Sequence, residues 1–147
     1  MISEKDKKIL EILKFNCKIP SWKMSEKTGI PITTIHNRIK KLEKDGIIKG
    51  YKAIVDNKKL GKNIQAYVTF SVAAGPRFSE ENVAKRVIKM PEVEECAVIT
   101  GSSDILIKVS TKDVDELNDF VINNLRTIKG AKNTTTAIIL KEITDKE

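Results

Sequence analysis

Histidine occurs once in these 147 residues and cysteine twice, and each shortage removes a class of chemistry. A lone imidazole, His36, cannot supply a histidine-rich metal site and gives a histidine-based catalytic triad little to work with. Cys17 and Cys96 are too far apart for a CxxC redox or zinc pattern, and in a reducing compartment they are expected as free, half-buried thiols. Arginine is scarce as well, limited to Arg38, Arg77, Arg86 and Arg126. No run approaches the roughly 18 apolar residues that span a membrane. The opening MISEKDKKIL is broken by charge where a signal peptide would carry its apolar segment, so a cytoplasmic location is expected. With 40% apolar and 32% charged residues the composition is that of a soluble globular protein, and no metal or cofactor is expected.

What is abundant is positive charge, and it is unevenly placed. Residues 1 to 62 carry 16 Lys and Arg against 7 Asp and Glu, a net of +9, whereas residues 63 to 147 carry 11 against 13, a net of −2. Solvated lysines on a robust surface explain a high lysine count but not why the excess stops near residue 62. The split predicts a polyanion-binding domain over 1–62 and a second domain with another task over 63–147. The polar segment DNKKLGKN, residues 56–63, is the expected boundary.

In the first domain, Ser3 with Asp6 resembles a capping pair, and Ile9, Leu10, Ile12 and Leu13 recur at helical spacing, which predicts a helix over 4–15. A short second helix is expected over 20–28, opened by Pro20, with Met24 in the core and Gly29 as its stop. A third runs from Pro31 to about Asp45 and ends at Gly46. On it, Ile35, Ile39 and Leu42 follow the i, i+4, i+7 pattern and point inward. At about 100° per residue the outward face then carries Thr33, His36, Asn37, Lys40 and Lys41, with Thr34 and Arg38 on its flanks.

Asn pairs bidentately with adenine, a Thr methyl touches the thymine methyl, and Lys and Arg neutralise phosphates. A three-helix unit presenting those groups fits a helix-turn-helix placed in the major groove of double-stranded DNA, against the blander reading of a solvated helix face. Residues 47–56, IIKGYKAIVD, have strand character and carry Lys49 and Lys52. They are expected as a connecting strand whose basic residues graze phosphates, with a DNA-touching wing as the alternative.

The second half shows strand signals over 64–74, 93–100, 104–111 and 133–143, and helix signals over 79–90 and 113–128. The order βαββαβ predicts a ferredoxin-like antiparallel sheet backed by two helices, making the whole chain α+β. An open apolar sheet face is expected to be covered by a second copy. Between the middle strands lies TGSSD, residues 100 to 104. It reads either as a tight hairpin or as a site where hydroxyls, amides and the Asp104 carboxylate hold a small zwitterion.

The blocks SEKDKKILEIL, GIPITTIHNRIKKLEKDGIIKGYKAIVD, PEVEECAVITGSSDILIKV and NTTTAIILKEI together resemble the Lrp/AsnC, or feast/famine, family of transcription regulators over nearly the whole chain. The resemblance implies an N-terminal helix-turn-helix domain, a linking strand and a C-terminal RAM-type domain that dimerises and in many members binds amino acids. It also implies tetramers or octamers built from dimers. Carried onto this sequence, the effector loop is Thr100, Gly101, Ser102, Ser103 and Asp104, with Thr134 and Thr136 on the last strand as weaker candidates. Pro20 and Pro31 stand where the family often has capping serines, and Ser103 replaces a common aromatic.

Two other classes compete. Some proteins resembling this family decarboxylate haem precursors, but such a site calls for more His and Arg than one and four. An amino-acid sensor without DNA binding has no use for a +9 first domain. The sequence therefore points to a DNA-binding regulator rather than an enzyme.

Overall fold

The computed structural model describes residues 1–143 and divides into two compact units, Met1–Ile54 and the chain from Val55 onward. The N-terminal unit holds α1 (Glu4–Phe15), α2 (Ser21–Thr28) and α3 (Ile32–Lys44). The capping pair is reciprocal: the Asp6 amide donates to Ser3 Oγ at 3.2 Å and the Ser3 amide donates to Asp6 Oδ2 at 2.9 Å. Pro20 and Pro31 precede α2 and α3 without any side-chain cap, and both helices form, since proline tolerates a first turn.

The turn between α2 and α3 is stapled twice. Gly29 is left-handed at φ 69, and the Thr28 hydroxyl donates to the Met24 carbonyl at 2.7 Å while accepting the Ile30 amide at 3.2 Å. That turn seats α3 against a core of Ile9, Met24, Ile30 and Ile35, all buried, with Ile12, Leu13, Ile19 and Ile39 half-buried around it. At about 2 kcal/mol per fully buried aliphatic side chain, so small a core leaves polar contacts a visible share of the stability.

Gly46 ends α3, and the Ile47 and Ile48 amides both return to the Leu42 carbonyl at 2.9 and 3.0 Å. The strand expected over 47–56 is not found: among the described residues no strand lies between α3 and the first strand of the sheet. Strand structure is a pairing, and this segment meets no second strand within the single chain. Cys17 is exposed rather than half-buried, whereas Cys96 is half-buried and burial pushes its thiol up.

The second unit contains β1 (Ile64–Val72), α4 (Glu80–Val87), β2 (Val93–Val98), β3 (Ile105–Thr111), α5 (Val114–Asp119) and β4 (Ala131–Ile138). The sheet order is β2-β3-β1-β4, antiparallel throughout, so the expected ferredoxin-like arrangement is present. Alternation sorts its two faces. Ala66, Val68, Phe70, Ile105, Ile107 and Val109 are buried against Val83, Val87, Leu117 and Phe120 of the helices.

The opposite face carries Tyr67, Thr69, Leu106, Lys108, Thr135 and Ala137 by register, so it is amphipathic rather than apolar. Lys108 there donates to Glu142 at 2.7 Å, which raises its pKa, and lies 5.9 Å from the Tyr67 ring.

Several boundaries differ from those expected: β1 ends at Val72 rather than 74 and β2 at Val98 rather than 100. β4 covers Ala131–Ile138 rather than 133–143, entering through a register shift opposite Thr69 and Ser71 with Asn133 at φ 55, and ending with Ile138 opposite Ala66. The helix expected over 79–90 is regular only to Val87. The one over 113–128 widens after Asp119 into π-type turns over Phe120–Leu125.

Candidate nucleic-acid interface and effector loop

The outward face of α3 is populated as expected. Thr33, His36, Asn37, Lys40 and Lys41 are exposed, and Thr34 is half-buried on the flank. Ile35 and Leu42 hold the opposite face down, which fixes the rotation of the helix and hence the direction of the polar row. Lys41 pairs with Asp45 at 3.2 Å, but both side chains are well exposed and such a pair contributes at most about 1 kcal/mol, so Lys41 is free to exchange it for a phosphate. Lys49 and Lys52 are exposed beyond Gly46. Between them, Tyr51 donates to Glu43 of α3 at 2.8 Å. Burial first, and then that carboxylate, push the Tyr51 phenol up to about 12.

Arg38 departs from its expected place on the outer flank. Its Nη1 lies 3.1 Å from Asp6 Oδ2 and donates also to Ser3 Oγ at 3.0 Å, so it closes α3 onto the start of α1. Burial raises the Asp6 carboxyl, but hydrogen bonds from Ser3 and Arg38 outweigh this and hold it below the usual carboxylate range. On α2 the sequence marks only Met24, as a core residue. Its Trp22 and Lys23 are exposed, with the ammonium 5.7 Å from the indole centroid. The signal was available, because a tryptophan next to a lysine at the start of an otherwise polar helix has no core role there.

In the second unit the loop 100–104 forms a hairpin closed by the Ile99 amide on the Asp104 carbonyl at 2.8 Å. Asp104 looks inward: its Oδ2 accepts the Val72 amide at 2.7 Å, tying the start of β3 to the end of β1. Thr100, Gly101 and Ser102 are exposed and Ser103 is half-buried. Among the described residues their hydroxyls and Asp104 Oδ1 have no side-chain partner, so donors and acceptors remain at the loop. Thr134 and Thr136 are not brought to it. They lie on β4, beyond β1, which places them about two strand spacings or roughly 10 Å away within one chain. Thr134 is engaged by Arg126, whose Nε donates to its hydroxyl at 2.9 Å, and Thr136 is exposed. Among the described residues no group of His, Cys, Asp and Glu is placed to hold a metal, and no helix is long and apolar enough to cross a membrane.

Each half of the chain matches a known family model. Residues 2–49 match the family model for winged helix-turn-helix DNA-binding, and residues 65–147 match that for the Lrp/AsnC ligand binding domain. The HTH-type transcriptional regulator FL11 of Pyrococcus furiosus is 40% identical over 141 residues, spanning 96% of this chain and 91% of FL11. Among solved structures, the transcriptional regulator NMB0573 of Neisseria meningitidis in complex with L-Met superposes with a TM-score of 0.90 at 28% identity, covering 99% of this chain and 94% of that one. Escherichia coli AsnC does so with 0.84 at 27% identity, covering 100% and 97%. The chain belongs to the Lrp/AsnC family of DNA-binding transcription regulators.

Proposed function

We propose that this regulator reads DNA with α3, works as a dimer or a larger assembly of dimers in the cytoplasm, and responds to an amino acid or a related small zwitterion near residues 100–104. The observation that carries the reading is the exposed row Thr33, His36, Asn37, Lys40 and Lys41 on a helix whose other face is locked by Ile35 and Leu42. Asn37 and Thr33 are the base readers. Lys40, Lys41, Lys49 and Lys52 hold phosphates, and Trp22 with Lys23 on α2 packs along the backbone that the first helix of the motif crosses. Arg38 acts on the fold instead, holding α3 against α1. That the relatives are regulators supports a non-enzymatic role.

The effector part draws on the L-Met complex of NMB0573 and on the free hydroxyls of the loop. With Asp104 Oδ2 already bonded to Val72, only Oδ1 remains for an ammonium group. A complete pocket therefore draws further walls from a second copy. Such a ligand alters DNA affinity only by as much as it prefers one assembly over another, typically about 1 to 3 kcal/mol.

Selection of bound genomic fragments followed by binding at graded salt tests the DNA part. Roughly eight phosphate contacts per dimer give a log-log slope of about −7. A flat slope, or no enriched sequence, would defeat it.

A further inference from the structure

Only four of the 27 Lys and Arg residues are arginine, and two of them already have partners: Arg38 on Asp6 and Arg126 on Thr134. The other two, Arg77 and Arg86, line one groove of about 450 Å³ together with Lys129, Ser79 and Asn82. The groove lies between the segment leading into α4, the α4 helix itself and the turn before β4. Among the described residues none of its three cations has a carboxylate partner. The two glutamates in the first turn of α4 do not line the groove, and Glu81 is held by Lys85 at 2.7 Å on another face.

One wall is apolar. The Phe78 ring lies on the backbone of Gly130, where a Cβ would meet Phe78 Cδ1 at 2.7 Å, and Gly130 adopts φ 94. Any larger residue at 130 would displace the ring.

Unpaired cations on a concave surface repel one another, and an anion relieves that cost. Arginine presents planar paired donors that match a phosphate bidentately, which lysine does not. Volumes from about 300 Å³ upward suit small organic ligands rather than bare ions. The half of the chain beyond residue 62 has a net charge of −2, so this patch is local and not the continuation of a basic DNA track.

We propose that this groove binds a small phosphorylated molecule, its phosphate held by Arg77, Arg86 and Lys129 and its apolar part against Phe78. The site is separate from loop 100–104, and its occupation does not depend on the amino-acid reading.

Titration calorimetry on the full chain with AMP and with inorganic phosphate is the test, using Arg86→Gln, Arg77→Gln and, as control, Lys85→Gln. AMP is expected to bind more tightly than phosphate. Either arginine variant should weaken AMP about tenfold or more, as loss of a hydrogen bond to a charged group implies, with an unchanged thermal midpoint, whereas Lys85→Gln should leave binding as it was. Absence of AMP binding overturns the proposal, as does equal weakening by Lys85→Gln, which would mean diffuse charge attraction. AMP no tighter than phosphate overturns the assignment of an organic ligand. Loss of DNA affinity in Arg86→Gln without AMP binding would make the groove a DNA contact instead.

Discussion

Arg38 Nη1 lies within 3.1 Å of both carboxylate oxygens of Asp6, 32 residues earlier in the chain, and this pair joins the two ends of the helical domain's fold. The Asp6 side chain is 10% exposed and Arg38 33%, so the pair is neither a loose surface contact nor fully desolvated. Removing Arg38 leaves a nearly buried carboxylate without its cation. Arg38→Ala is expected to lower the stability of the N-terminal unit by about 2 kcal/mol, seen as a lower denaturation midpoint. A loss of DNA affinity with no change in stability would return Arg38 to the DNA surface.

The same pair predicts acid sensitivity. The folded pKa of Asp6 is held below its ordinary value of 3.8, so its contribution is complete above that pH and is lost as pH falls through the lower folded value. Unfolding free energy should therefore fall as the medium is acidified below about pH 4, and the fall should be shallower in Asp6→Asn. Parallel pH profiles for the two proteins would remove Asp6 from the account.

Asp104 has one structural contact and one proposed ligand contact, which substitution can separate. Asp104→Ala strips the Val72 amide of its acceptor and is expected to cost about 1 kcal/mol, whereas Asp104→Asn keeps an acceptor and recovers most of it. Calorimetry against the common amino acids at millimolar concentration should show binding to the parent and weakening in both variants, since neither keeps the charge for an ammonium group. Binding that survives in both places the ligand elsewhere.

The proposed assembly uses the second sheet face. Tyr67, Thr69, Leu106, Lys108, Thr135 and Ala137 present an amphipathic surface, and a two-fold dimer formed over it would place the same patch on both copies. The full chain should sediment as a dimer or larger at micromolar concentration, and its footprint should be roughly palindromic with half-sites about 34 Å apart or a multiple of that. A monomer, or an asymmetric footprint, would contradict it.

The helical domain was legible because each of its signals is local: Ser3 and Asp6 cap within one turn, Gly29 turns within one residue, and Ile35 to Leu42 repeat on one helix. The sheet arrangement was legible from the βαββαβ order of strand and helix signals along the chain. What failed depended on contacts far along the chain. Arg38 read as outward because its partner lies 32 positions earlier. The segment 47–56 read as a strand because β-branched residues announce a propensity and not the partner that realises it. The loop 100–104 read two ways because Asp104 meets Val72 only once β1 and β3 are paired. The arginine groove was invisible because residues 77, 86 and 129 converge only in the folded domain.

The central claim is that α3 reads bases through Asn37, and the most direct measurement compares Asn37→Ala with the parent on a selected operator and on random DNA at the same salt. A lost bidentate base contact predicts about 1 to 3 kcal/mol weaker binding to the operator, relaxed preference at one base position and little change on random DNA. Equal loss on both DNAs, or none on either, would show that Asn37 is not a base reader and would contradict the orientation of α3 on which the account rests.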